Sequence, residues 1–120
     1  MTTLELKRFD NPDEVRSFEK GRFEIVHVGG MAIGRAVYEP GWKWSIHVGR
    51  PMGKTLCDVE HVGMVVSGCA AIAMADGSVR ELKQGDLFNI PPGHDSWVIG
   101  EERYVSFHLL GTQDYAKREE

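Results

Sequence analysis

Downstream of Gly21 the chain runs in short apolar-rich stretches broken by glycine and proline, and no apolar period near 3.6 lasts long enough for a full helix. The stretches Phe23–Val28, Ala32–Tyr38, Trp42–Val48, His61–Val66, Ala70–Met74, Val79–Leu82, Leu87–Ile90, Trp97–Ile99 and Tyr104–Leu110 read as β-strands. Gly29–Gly30, Pro40–Gly41, Gln84–Gly85–Asp86 and Pro91–Pro92–Gly93 supply the turns, and Asp76–Gly77 between two strands signals a hairpin. Upstream, DNPDEVRSFEK at residues 10–20 carries the one convincing helix start. Asp10 or Asn11 can cap, Pro12 suits the first turn, and Gly21 ends it. Many short strands at close spacing predict a β-sandwich or barrel over residues 21–112. An N-terminal strand and short helix precede it in residues 1–20, and a polar tail, residues 113–120, follows and either frays or adds a last helical turn.

Composition narrows the setting. The 120 residues suffice for one hydrophobic core and therefore one domain. A net charge of −4 with interspersed signs leaves no basic patch for a run of phosphates, which argues against nucleic acid. No stretch approaches the roughly 18 apolar residues of a membrane span, and the opening MTTLELKRFDNPDEV lacks the apolar core of a signal peptide. The expected compartment is the cytoplasm, where the two cysteines, Cys57 and Cys69, stay reduced.

Two segments carry specific spacing. In PGWKWSIHVGRPMGKTLCDVEHVGMVVSG, five residues separate Gly41 from His47 and six separate His61 from Gly68; in GDLFNIPPGHDSW, Gly85, Pro91 and Gly93 follow a matching spacing. Together they resemble the paired motifs of the cupin family. The resemblance covers about residues 38–100 and implies an all-β, double-stranded β-helix (jelly-roll) barrel holding one divalent metal through three histidines and a glutamate. Three of those four ligand positions differ here: Gly49 replaces the second histidine, His61 the glutamate, and Ser96 the last histidine.

Strand parity supplies substitutes, because residues an even number apart share a face. His94 lies two residues before Ser96, and Cys57 lies four before His61. The candidate metal ligands are therefore His47, His61, His94 and Cys57, with Glu60 replacing His61 if a bulge intervenes. A mixed nitrogen and sulfur set favours zinc, while the three histidines without Cys57 equally suit iron, manganese or nickel. His27 and His108 read as barrel-wall or surface residues, or as hydrogen-bond partners behind a ligand. Asp95 reads as a turn or supporting carboxylate, and Cys69 as core. Trp42 and Trp44 fill the barrel or an interface, and one at the mouth would offer a flat wall to an aromatic or cyclic molecule.

These residues point to a metal-binding barrel that admits a small organic molecule, and to a lyase, isomerase or cyclase type of reaction through a polarised substrate oxygen. Metal-dependent dioxygenation, a non-catalytic ligand sensor and a metal-free scaffold are the competing expectations. A homodimer is expected, with a strand at Thr3–Arg8 covering an edge of the partner.

Overall fold

The computed structural model describes residues 3–117. Its strands are β1 (Glu14–Phe18), β2 (Gly21–Val28), β3 (Met31–Tyr38), β4 (His61–Ser67), β5 (Cys69–Met74), β6 (Val79–Lys83), β7 (Leu87–Ile90), β8 (His94–Val98) and β9 (Tyr104–Leu110). They form two antiparallel sheets, a six-stranded one in the order β1-β2-β3-β9-β4-β7 and a three-stranded one in the order β6-β5-β8. Consecutive strands pair at β1-β2, β2-β3 and β5-β6, and the longer connections close the barrel.

Alternation explains the inner face. Tyr104, Ser106 and His108 of β9 are buried at every second position, and His61, Gly63 and Val65 of β4 do the same from the neighbouring strand. Gly63 is required there, since a Cβ at that position would strike the carbonyl oxygen of Phe107. Strand β2 is buried on both faces: Phe23 and Ile25 enter the core, while Glu24 on the other face is held by Arg35 at 2.6 Å and Arg22 at 3.3 Å. Phe9 covers that outer face too, stacked on Phe107 at 5.5 Å with the Arg35 guanidinium 5.0 Å from its ring. The Asp76–Gly77 hairpin forms as expected, with the Asp76 carboxylate accepting the Ser78 amide at 2.9 Å.

Two segments depart from the sequence expectation. Residues 10–20 make a turn and strand β1, paired Glu14↔Ile25 through Phe18↔Gly21, in place of a helix. Pairing with β2 satisfies every second backbone group and leaves Arg16 and Phe18 half-buried on one side, which outweighs the local cap signal. Residues 42–48 are not a strand. A π-turn at Ser45–Gly49 runs into a 3-10 turn at Arg50–Met52, and Trp44, His47 and Val48 are buried at i, i+3 and i+4. Residues 3–8 carry no regular structure in the single chain.

In the C-terminal segment, residues 111–117 form a bend and turns, and residues 118–120 of the expected tail lie outside the described residues. After β9, Gly111 at φ +88° turns the chain back, and Tyr115 enters the barrel with 3% of its surface exposed. Any side chain at Gly111 would meet the Glu60 carbonyl oxygen, so this reversal needs glycine.

Candidate metal centre

Cys57, His61 and His94 bring one ligand atom each to a common point inside the barrel, all within 4.8 Å of one another. Each arrives differently. His61 opens β4 and points inward by parity, while its neighbour Glu60 is exposed and accepts a hydrogen bond from Asn89. His94 opens β8 after the Pro91–Pro92–Gly93 turn. Cys57 sits in the long connection before β4 and is fixed by an isolated bridge to His94: the Cys57 amide donates to the His94 carbonyl at 2.7 Å, and the Gly93 amide donates to the Cys57 carbonyl at 2.7 Å.

The donor atoms face each other in usable protonation states. His94 Nδ1 lies 2.7 Å from the Pro91 carbonyl oxygen. A carbonyl only accepts, so Nδ1 carries the proton and Nε2 keeps its lone pair. His61 Nε2 is 3.6 Å from Cys57 Sγ. Donors about 2.1 and 2.3 Å from a tetrahedral ion lie about 3.6 Å apart, so this pair has the spacing zinc would need. The residues present therefore fit a metal of that class.

Burial holds all three imidazoles neutral. It pushes His61 down to about 2, with His108 and His94 adding to the effect. It pushes His108 down to about 3 and lowers His94, against the opposing Pro91 hydrogen bond. Neutral imidazole is the ligating form. The Cys57 thiol is instead pushed up to about 11, chiefly by burial, so a metal must expel its proton on binding.

His47, expected as a ligand from a strand, stands apart from these three. Its Nδ1 accepts the Lys43 amide at 2.9 Å within the helical turn, and its Nε2 lies 3.9 Å from Glu19. Asp95 is a clasp: its carboxylate takes the Ser45 amide and hydroxyl at 2.9 and 2.8 Å, tying that turn to β8. Cys69 is a half-buried free thiol, and Ser96 lines the cavity.

His108, read from the sequence as a wall or surface residue or as a hydrogen-bond partner behind a ligand, lies inside the barrel with its ring 5.1 Å from that of His61 and its Nε2 2.9 Å from the Ser106 hydroxyl. Its place two and four residues beyond Ser106 and Tyr104 on β9 was the available signal. Across the same cavity Tyr38 stacks on Trp42 at 3.7 Å and on Tyr104 at 5.8 Å. Only about 30 Å³ remains free between these groups. That holds a water or two.

Neither a protein-family model nor a curated protein matches the sequence. Solved structures match the fold. A protein of unknown function from Rhizobium leguminosarum superposes with a TM-score of 0.63 at 18% identity, over 91% of this chain and 97% of its own. A Cupin 2 conserved barrel domain protein from Salinispora arenicola superposes with a TM-score of 0.61 at 18% identity, over 89% of this chain and 87% of its own. The fold is a cupin barrel. An oxalate decarboxylase also aligns, with a TM-score of 0.57 and 21% identity over 86% of this chain but 29% of that longer one. Within the cupin barrel, the Cys57–His61–His94 cluster lies between the two sheets, with its residues coming from β4, β8 and the connection that leads into β4.

Among the described residues, no helix is long and apolar enough to cross a membrane.

Proposed function

We propose that this protein binds a divalent metal, with zinc favoured, through Cys57, His61 and His94, and acts on a small organic molecule in the barrel. The observation that carries this is the convergence of one thiol and two neutral imidazoles from three separate segments on one buried point. A bound metal would supply Lewis-acid polarisation of a substrate oxygen, which suits lyase, isomerase or cyclase chemistry. The likeness to an oxalate decarboxylase agrees with chemistry of that kind. The chain's own residues leave space for no more than a water or two and fix the donors: His94 is oriented by Pro91, and His61 is enclosed by the rings of His94, His108 and Tyr115 at 5.0–5.3 Å. Cys57 counts against oxygen chemistry, because a coordinated thiolate beside an oxidant is itself oxidised. A reducing cytoplasm suits that thiol.

Elemental analysis of purified protein tests the reading. The wild type should carry about one equivalent of metal, and His61→Ala should carry almost none. Equal metal content in the two proteins would remove this centre. The small free volume favours a second reading, a metal-stabilised ligand sensor without turnover. Metal retained without any turnover of bound ligand would select it.

We also propose a homodimer. Leu4 and Leu6 in the unstructured N-terminal arm and Leu87 on edge strand β7 are more than four-fifths exposed, the pattern of an arm that a second copy would cover. Light scattering at the 13.4 kDa of a single chain would exclude it.

A further inference from the structure

The proposed site has no room for an organic molecule while Tyr115 is in place. Its phenol ring packs edge-on to Phe23 at 4.8 Å and His61 at 5.0 Å, and lies nearly parallel to His108 at 6.2 Å. Its hydroxyl pairs with that of Tyr38 at 2.6 Å, a buried hydrogen bond. This is how a binding pocket holds a ligand: rings on three sides and one polar group at the far end.

The segment that carries Tyr115 is not woven into either sheet. It follows the Gly111 reversal, contains exposed Gln113 and Asp114, and has Ala116 in the left-handed region at φ 53°. Its main attachment besides Tyr115 is the Arg16 guanidinium, which donates from β1 to the Tyr115 carbonyl at 2.6 Å and the Thr112 carbonyl at 3.2 Å. Arg16 is itself held by Glu14 at 2.7 Å. Among the described residues, the other side-chain hydrogen bond of the segment runs from Thr112 Oγ1 to the His108 carbonyl at 3.1 Å. Apart from Thr112 and Tyr115 the segment is half-buried or exposed, it pairs with no strand, and one external clamp holds it, which is the makeup of a segment that opens locally.

We infer that the barrel binds a phenol, and that Tyr115 is a built-in occupant which such a ligand displaces when the Arg16 clamp releases. This deepens the proposed function by naming the ligand class for the same site. A phenol reproduces each contact of the departing ring and re-pairs the buried Tyr38 hydroxyl; a plain aromatic leaves that hydroxyl unpartnered and is rejected. The clamp sets the fraction of open protein and so scales the apparent affinity.

The test uses the full chain with p-cresol, the tyrosine side chain as a free molecule, and toluene, the same ring without the hydroxyl. Chymotrypsin cleavage after Tyr115, followed by mass, reports release of the segment, and calorimetry reports affinity. p-Cresol should accelerate cleavage and toluene should not. Arg16→Gln should bind p-cresol roughly tenfold more tightly than the wild type. Tyr115→Ala, which leaves the clamp intact and empties the pocket, should show the same gain even if Arg16→Gln does not fold. Cleavage unchanged at high p-cresol, or neither variant binding more tightly, would make Tyr115 a fixed part of the core and overturn the inference. The titrations are run on chelator-treated and zinc-loaded protein. p-Cresol binding without any zinc uptake would sink the metal centre and leave the phenol pocket standing, and zinc uptake without p-cresol binding would do the reverse.

Discussion

The stacked rings of Tyr38, Trp42 and Tyr104 and the imidazoles of His61, His94 and His108 line the same cavity, yet they are built for different ends. The first set is packed at stacking distance, with the Tyr38 hydroxyl satisfied by Tyr115. The second leaves Nδ1 of both His61 and His108 buried without a partner, whereas the unpartnered atom of the first is Trp42 Nε1, an indole N–H that donates but has no lone pair to offer a metal or a proton. An unpaired buried polar atom weakens the fold, so a protein selected for stability alone would have filled that side with carbon. The difference separates the side that holds the barrel from the side kept available for chemistry.

The two sides should fail at opposite ends of the pH scale. In the metal-free chain His61 and His108 stay neutral when folded, whereas in the unfolded chain they take up protons below about 6.5. Their folded values are depressed, so stability is full above that pH and falls as pH drops. At pH 4.5 the two together remove about 5 kcal/mol. Tyr38, Tyr104 and Tyr115 carry raised values from burial, with Tyr104 pushed up to about 12. Stability should fall again as pH rises above about 10, by about 1.4 kcal/mol per tyrosine at pH 11. Urea unfolding across pH 4.5 to 11 measures both arms, and a flat acid arm would show that the imidazoles are solvated.

A smaller effect sharpens the contrast. Trp42 is 1% exposed and stacked on Tyr38, so Trp42→Ala should lower stability by about 3–5 kcal/mol. Zinc affinity of the fraction that remains folded should stay within about threefold of wild type, because the indole's ring partners are Tyr38 and Phe18 rather than Cys57, His61 or His94. A parallel collapse of zinc binding would join the two sides into one unit.

Most strands of the barrel were legible because one face is buried and the other wet, so residues such as Tyr104, Ser106 and His108 alternate cleanly. The stretch 42–48 misled because WKWSIHV also alternates. The helical spacing of Trp44, His47 and Val48 was present in the same letters, and the thirteen residues between His47 and His61, with Pro51 and Gly53, are too many for a tight strand connection. Residues 10–20 misled in the opposite sense, since an edge strand's pairing is not visible in its own cap residues. His61 and His94 could be placed inward by parity. Cys57 was named by the same parity count, although it arrives through a bridge to β8 rather than along a strand, whereas Tyr115 could not be placed because it enters through a reversal at Gly111 far along the chain.

The bridge between Cys57 and His94 is made wholly of main-chain hydrogen bonds, so no change of side chain removes it. Two of the three donors are thus held in register by atoms that every residue except proline shares. That makes the centre interchangeable in its ligands. Replacing Cys57 by histidine or aspartate would move the donor set from soft toward hard while keeping its anchorage, and the same scaffold would then favour a different metal. In such a barrel, choice of metal becomes a property that one codon can alter without rebuilding the site.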